Sequence, residues 1–495
     1  MRIEPGDARY DTLVTGFNQR FRAAPEAVYV VRSTEETVAA VTEAVRSGKR
    51  LSVRSGGHCY SDLVYHPQAE VIIDLSLVNS VGWDAERRAF TAGAGAQLTD
   101  VYETLNRGWG VTLPGGLCPA VGMGGHACGG GYGLLNRRDG VVADHVAAVE
   151  VVVADRPGQA RAVVATRESD GELGDLWWAC CGGGGGSFGI VTRFWLRSRE
   201  ATGSDPRDQL PRTPARVLVS TGVLPWEGLT QEAFTRLVHN FAGWSVEHEA
   251  DEPPAGSMGA TLIAPHRSGQ RIQCLAVAEA ALPGAEQTLR EFTAHVAEGT
   301  GMQVSPPLPL RWDQTERLVS SIEPRTMWHL TERIAVKSAF HKTPWTAEQC
   351  AAAYRSLTRE DYANDTTRLV FYAAGGRINA VPADIIAFPH RDTSHVVTFE
   401  SFWSNPAEDE LHLGWLREVY GAVYADTGGY PVPGKDTAGC YINVPDTDIL
   451  DPKLNTSGVP WHEFFFGANY ARLQRAKRRW DPQDVFRHAL SVRLD

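Results

Sequence analysis

The sequence predicts an α+β protein of two domains. Its 495 residues exceed what one hydrophobic core usually serves, since domains run to roughly 100–250 residues. The first 200 residues alternate helix and strand signals between tight glycine turns. After Arg199 the composition shifts: Gly203–Pro214 is polar and carries three prolines, which marks a linker, and a different set of strand and helix candidates follows.

Taken in order, Ser33 and Glu36 form a capping-box pattern, Val38, Val41 and Val45 repeat at helical spacing, and Gly48 stands where a C-cap belongs. The short apolar runs Leu51–Val53, Val71–Ile73 and Val149–Val153 read as buried strands. A helix is expected over Leu98–Asn106, ended by Gly108. Beyond the linker, strands are expected at Val217–Ser220, Ile272–Ala278, Arg368–Ala373 and Val396–Phe402. Helices are expected at Gln231–Phe241, Ala285–Ala297 and Glu408–Tyr424. This pattern predicts an antiparallel sheet covered by helices. The tail Gly439–Asp495 is again dense in aromatics and turns.

A formal net charge of −11 argues against nucleic acid or an anionic membrane as partner, because both select basic surfaces. Residues 1–20 have no apolar h-region, and nowhere do about 18 apolar residues run together, so a soluble, cytoplasmic protein is expected. The eight cysteines show no C-x-x-C pair and no regular framework, which argues against a disulfide scaffold.

Glycine concentrates in four places: Arg54-Ser-Gly-Gly-His-Cys-Tyr60, Pro114–His126, Gly129–Gly133 and Gly182–Gly186. Glycine lets a backbone approach a ligand closely, and successive N–H groups in such turns make anion-binding nests suited to a diphosphate. A G-x-G-x-x-G between a strand and a helix is missing, as is a G-K-[ST], so a dinucleotide-binding βαβ unit and a P-loop are both disfavoured. His58, Cys59, Cys118, His126 and Cys128 are metal-ligand types, but their spacing fits no known zinc arrangement, and no metal is expected.

These motifs carry a resemblance. Arg-Ser-Gly-Gly-His, then Gly-Gly-x-Cys-x-x-Val-Gly-x-Gly-Gly-His, then Gly-Gly-Gly-Tyr-Gly resemble the vanillyl-alcohol-oxidase superfamily, and more narrowly its berberine-bridge-enzyme-like FAD oxidases. In the tail, Tyr441-Ile-Asn443, Asn469-Tyr470, Arg472-Leu473, Lys477, Asp481-Pro482 and Phe486 agree. The resemblance covers roughly residues 25–200 and 435–495 and implies the two-domain FAD-linked oxidase fold. In that fold an FAD domain is built from both chain ends, residues 1–200 and 435–495, around an antiparallel-sheet substrate-binding domain at 201–434. It implies FAD bonded covalently twice, His58 to the flavin 8α-methyl and Cys118 to C6. Arg54, Ser55, Gly56, Gly57, Cys59, Tyr60, Gly122, Gly125, His126, Gly129, Tyr132 and Gly133 belong to the same cofactor framework. Ile190 and Val191 match its adenine-side strand, and Asn443 and Asn469 match tail residues near the flavin.

The resemblance also makes Tyr441 the catalytic base on a substrate hydroxyl. A phenol of ordinary pKa about 10 needs hydrogen bonds or a positive charge to serve this way. Relatives that oxidise an anthracycline sugar carry a second tyrosine directly before a Gly-Gly; here Ala374 precedes Gly375-Gly376 and Tyr372 lies two positions earlier, a departure that argues against a second oxidation of that kind. Val121 matches a position where valine accompanies oxidases. The implied reaction is a two-electron oxidation of an alcohol or hemiacetal on a natural product or its sugar, with O2 reduced to H2O2. Its rivals are an oxidase of free oligosaccharides and a flavoprotein that only binds a metabolite.

Overall fold

A computed structural model of the chain describes residues 1–315 and 332–495. Near the N-terminus, Leu51–Arg54 and Ala27–Val30 both pair in parallel with Val71–Asp74, and Arg2–Ile3 closes a four-stranded sheet as an antiparallel edge. Every residue of Val71–Asp74 is buried, as befits a central parallel strand covered on both faces. The crossover helix is Thr34–Arg46, capped as its sequence requires: Ser33 Oγ accepts from Glu36 N–H, and Glu36 accepts from Arg32 N–H. A five-stranded antiparallel sheet follows, in the order Val81–Asp84, Ala89–Gly93, Ile190–Leu196, Val146–Arg156, Gln159–Thr166. The helix Leu98–Trp109 ends later than expected. Gly108 lies inside it, and Gly110, left-handed at φ 70°, supplies the C-cap.

After the linker comes a nine-stranded sheet, antiparallel throughout, built on Arg216–Pro225, Arg271–Glu279, Gly259–Pro265, Arg368–Ala373, His395–Trp403 and Arg333–His341 in that spatial order. Thr437–Gly439 adds to its far edge on Arg333–His341. The helices Gln231–Glu247, Ala285–Ala297, Ala347–Thr358 and Asp409–Val423 pack side by side on one face. Strand alternation turns every second side chain to the other face, which walls a cavity. The expected strands and helices of this region are present, most of them longer by a few residues. Two long strands, Gly259–Pro265 and Arg333–His341, three short ones, Gln303–Val304, Leu308–Arg311 and Thr437–Gly439, and the helix Ala347–Thr358 were not expected.

The C-terminal helix Tyr470–Trp480 returns to the first part of the chain and packs on Gly171–Ala179 and Val146–Arg156. Its anchor is Lys477, fully buried, which donates to Asp481 Oδ2 at 2.7 Å and to the carbonyls of Phe486 (2.7 Å) and Ser187 (2.9 Å). Asp481, also fully buried, accepts from Val485 and Phe486 N–H, both at 2.8 Å, and so fixes the final turn. Stripping one member from a buried, hydrogen-bonded pair leaves an uncompensated charge and typically costs about 3–5 kcal/mol. Lys477→Met should therefore lower the apparent melting temperature by many degrees. Lys49→Met, which removes an ion pair on the surface, should leave it nearly unchanged. Thermal unfolding of the two variants beside the parent checks this.

Candidate active site

The strand Leu51–Arg54 runs directly into the first glycine motif. There the loop crosses the segment after Cys118 so tightly that side chains are excluded: a Cβ on Gly56 would lie 2.3 Å from Gly122 N, and one on Gly122 would lie 2.2 Å from Gly56 N. Gly57 follows at φ +74°, a conformation other residues rarely adopt. The crossing is held from behind. Ser55 Oγ donates to Ala94 O at 2.6 Å, while Arg54 donates to Asp74 at 2.5 Å and to Tyr65 Oη at 2.8 Å. The loop then presents His58, whose imidazole stacks on Phe17 with ring centres 4.0 Å apart and planes 11° from parallel.

His58 and Cys118 open onto one cavity of about 630 Å³, which reaches from the glycine segments to the face of the nine-stranded sheet. Gly125 also lines it, and a Cβ there would meet nothing within 4 Å, so the backbone itself forms the wall. Gly184–Gly186, Ile190, Val191 and the tail residues Phe486–His488 continue the lining. Burial pushes the Cys59 thiol up to about 11 and holds His126 down to about 4, so His126 is a neutral imidazole. Its Nε2 accepts from Gly116 N–H at 3.1 Å, tying the Cys118 segment to the next motif.

On the sheet side lies Tyr441. Its backbone N–H donates to Ser338 Oγ (3.0 Å), and its phenolic oxygen accepts from Gly131 N–H (2.9 Å) and from Asn443 Nδ2 (3.0 Å). Asn443 is aimed by a second bond, to the carbonyl of His126 at 2.9 Å. Burial raises the Tyr441 phenol to about 12 against the pull of these donors, which favour the ionised form. Two further phenols border the same space. Tyr132 donates to Ala373 O at 2.8 Å, and its ring meets Tyr372 edge to face at 6.4 Å.

Most of the residues singled out from sequence converge here: Ser55, Gly56, Gly57, His58, Cys59, Tyr60, Cys118, Gly122, Gly125, His126, Tyr132, Gly133, Ile190, Val191, Tyr441 and Asn443 all line the cavity, as does Val121. Three are placed behind it instead. Arg54 is spent on Asp74 and Tyr65; Gly129 makes room for Asn443, whose Oδ1 would lie 2.0 Å from a Cβ there; Asn469 donates to the carbonyls of Ala383 and Ala387. Tyr372, set aside from sequence, lies on the cavity wall. Sequence reasoning also missed Thr398, Glu400 and Gln273, which line the sheet side. Thr398 and Glu400 sit two apart, on either side of Phe399 and after Val396-Val397, and that alternation was the available signal.

A cavity walled by bare backbone at one end, with an imidazole and a thiol facing in, fits the length, phosphates and flat ring of FAD. No helix among the described residues is long and apolar enough to cross a membrane. Residues 25–156 match the family described as FAD binding domain, and residues 440–493 match Berberine and berberine like. The chain is 44% identical to the aclacinomycin-N/aclacinomycin-A oxidase of Streptomyces galilaeus, over 100% of this chain and 90% of that one. It superposes with TM-score 0.96 and 44% identity on a flavoenzyme of shunt product recycling in caerulomycin biosynthesis, covering 100% of this chain and 99% of that one. The glycopeptide hexose oxidase complexed with teicoplanin gives 0.93 and 39% identity, covering 100% and 98%. Fold and site thus define an FAD-dependent oxidoreductase. Within that class, the chain belongs to the berberine-bridge-enzyme-like family of FAD-linked oxidases.

The glycine crossing gives a direct test. Gly122→Ala has no space for its methyl group, so the two loops must part. The variant should be purified with most of its flavin lost, read as the ratio of absorbance at 450 nm to that at 280 nm. Gly125→Ala, whose methyl group meets no protein atom, should report instead how closely the cofactor approaches.

Proposed function

We propose that the protein oxidises an alcohol or hemiacetal on a glycosylated secondary metabolite, with Tyr441 as the base that receives the hydroxyl proton. The observation that carries this reading is the phenolic oxygen of Tyr441, buried beside the cavity and accepting two N–H bonds. Donors aimed at that oxygen stabilise its ionised form, the form able to take a substrate's proton. Burial raises the phenol to about 12, so it rests protonated at neutral pH; the form that serves as base is the phenolate, left when the proton passes to solvent before substrate enters, and it then takes the substrate's. Phe340, whose ring meets Tyr441 edge to face at 5.8 Å, and Tyr372 restrict where the substrate ring can sit. Bound FAD would supply the two-electron acceptor, and O2 would take the electrons on as H2O2; Val121, the residue type that accompanies oxidases at the matching position, lines the cavity. The names of the relatives that act on aclacinomycins and glycopeptides support a decorated natural product as substrate. A free sugar is the second reading, supported by 28% identity to the hexose oxidase of Chondrus crispus over 98% of this chain and 93% of that one.

His58 and Cys118 would hold FAD by two bonds. Imidazole and thiolate are the nucleophiles that an electrophilic flavin ring needs, and both face one cavity. After acid precipitation the yellow colour should stay with the protein, and the intact mass should include FAD. His58→Ala and Cys118→Ala should each retain one bond, and the double variant should release the cofactor. Free flavin in the supernatant of the parent protein would refute double attachment.

Tyr441→Phe should fold, keep its flavin and lose ~10²–10⁴-fold in the rate of flavin reduction, the usual contribution of a general base. Anaerobic stopped flow with a panel of glycosylated antibiotics measures it. Reduction at the parent rate would move the base to Tyr372 or Tyr132.

A further inference from the structure

The loop that carries His58 is gripped from the N-terminal side, by residues that lie outside every glycine motif. Gly16 comes so close that a Cβ there would stand 2.4 Å from Gly57 O, and Phe17 N–H donates to the same carbonyl at 2.8 Å. One residue on, Asn18 Nδ2 donates to Tyr60 O at 2.7 Å. Between these backbone ties the Phe17 ring lies flat against the His58 ring, and Tyr60 meets both edge to face, at 6.1 Å from Phe17 and 5.9 Å from His58. The support is itself fixed. Phe17 is 1% exposed, and Asn18 is held by the strand Arg333–His341: its Oδ1 accepts from Ile334 N–H at 3.1 Å, and its Nδ2 donates to Ile334 O at 2.9 Å.

Bond formation at an imidazole nitrogen uses a lone pair that lies in the plane of the ring. The direction of that lone pair depends on rotation about Cβ–Cγ, a torsion that is broad for histidine. A flat, buried ring with its centre 4.0 Å away removes this freedom, because turning the imidazole out of its plane would drive an edge into Phe17. Stacking covers a face of the imidazole and not the edge that carries its nitrogens.

We propose that Phe17 is a positioning residue for the attachment of FAD at His58, holding the imidazole in the plane from which its nitrogen meets the flavin 8α-carbon. This rests on the reading that His58 bonds the cofactor. In that step a C–H bond of the 8α-methyl and the imidazole N–H break and a C–N bond forms. The electron pair reduces the flavin, and it passes with the two protons to O2 as H2O2. Cys118 is carried by the other loop, so its bond should form without Phe17.

The test reads attachment and not turnover. Flavin retained by acid-precipitated protein is measured in a Cys118→Ala background, where His58 alone can hold it, and in a His58→Ala background, where Cys118 alone can; peptide masses confirm the site. Cys118→Ala should retain nearly all of its flavin. Adding Phe17→Leu or Phe17→Met, both apolar but without a flat face, should cut the retained fraction to about a tenth or less, since a small misplacement of reacting atoms can slow a step ~10²-fold. Phe17→Tyr, which keeps the flat ring, should stay near the parent. In His58→Ala, the same Leu and Met substitutions should leave retention unchanged. The role of Phe17 is overturned if both Leu and Met leave the His58 bond intact, or if Tyr restores no more of it than Leu does. It is equally overturned if both Leu and Met abolish the Cys118 bond or the soluble protein, since Phe17 would then serve the core and not the imidazole. Release of flavin by Cys118→Ala alone would refute attachment at His58 itself, and the role of Phe17 with it.

Discussion

The close crossing of Gly56 and Gly122 is the constraint on which the site depends. One loop follows a strand of the four-stranded sheet and ends at His58; the other carries Cys118 and Val121. Because neither glycine has a Cβ, the two backbones touch, and their reactive side chains open on the same cavity. The residues behind the crossing are committed to keeping it. Arg54 is tied to buried Asp74 and to Tyr65, and Ser55 is tied to the carbonyl of Ala94. The Cys118 segment is then linked through His126 to Asn443, and through Asn443 to Tyr441. The nucleophile loops and the proposed base thus form one hydrogen-bonded unit, although some 380 residues of chain separate its ends.

The second wall is independent in origin. It comes from the nine-stranded sheet, whose helices take one face and leave the other to the cavity. The C-terminal segment joins the two walls. Thr437–Gly439 is an edge strand of that sheet, and within a few residues Tyr441 and Asn443 reach the glycine loops. Ser61 Oγ, from the His58 loop, donates to Pro445 O at 2.6 Å, and Lys337, from the sheet, donates to Asp446 at 2.7 Å. The segment 441–446 is therefore pinned from both sides, which is what a base needs if its oxygen is to hold a set position.

Much of this was legible in the sequence because glycine requirements are local. A cluster such as Arg54–Tyr60 declares that backbone must approach something, and His58 and Cys118 stand out against it. The capping box at Ser33 and the strand runs around it followed from short-range patterning. What the sequence could not show was which way each side chain of a motif faces. Arg54, Gly129 and Asn469 share their motifs with cavity residues, yet they support the cavity from behind. The strand Gly259–Pro265 was missed because all seven residues are buried, which removes the alternation that marks a half-exposed strand. Thr398 and Glu400 did alternate, but only cross-strand pairing with Arg368 and Val336 shows that they share a wall with Tyr372.

That wall clarifies why a buried phenol suits the chemistry. A carboxylate in that place would be ionised at neutral pH, and a buried, unpaired charge beside a flat, electron-accepting ring would be costly to keep. A phenol raised to about 12 carries no charge at rest. The N–H groups of Gly131 and Asn443 already point at its oxygen, so the phenolate that would serve as base forms against fixed donors and needs no reorganisation. Burial keeps the resting phenol protonated and makes its phenolate a strong base, while the two fixed donors pull the other way, so their balance sets how readily the proposed base ionises.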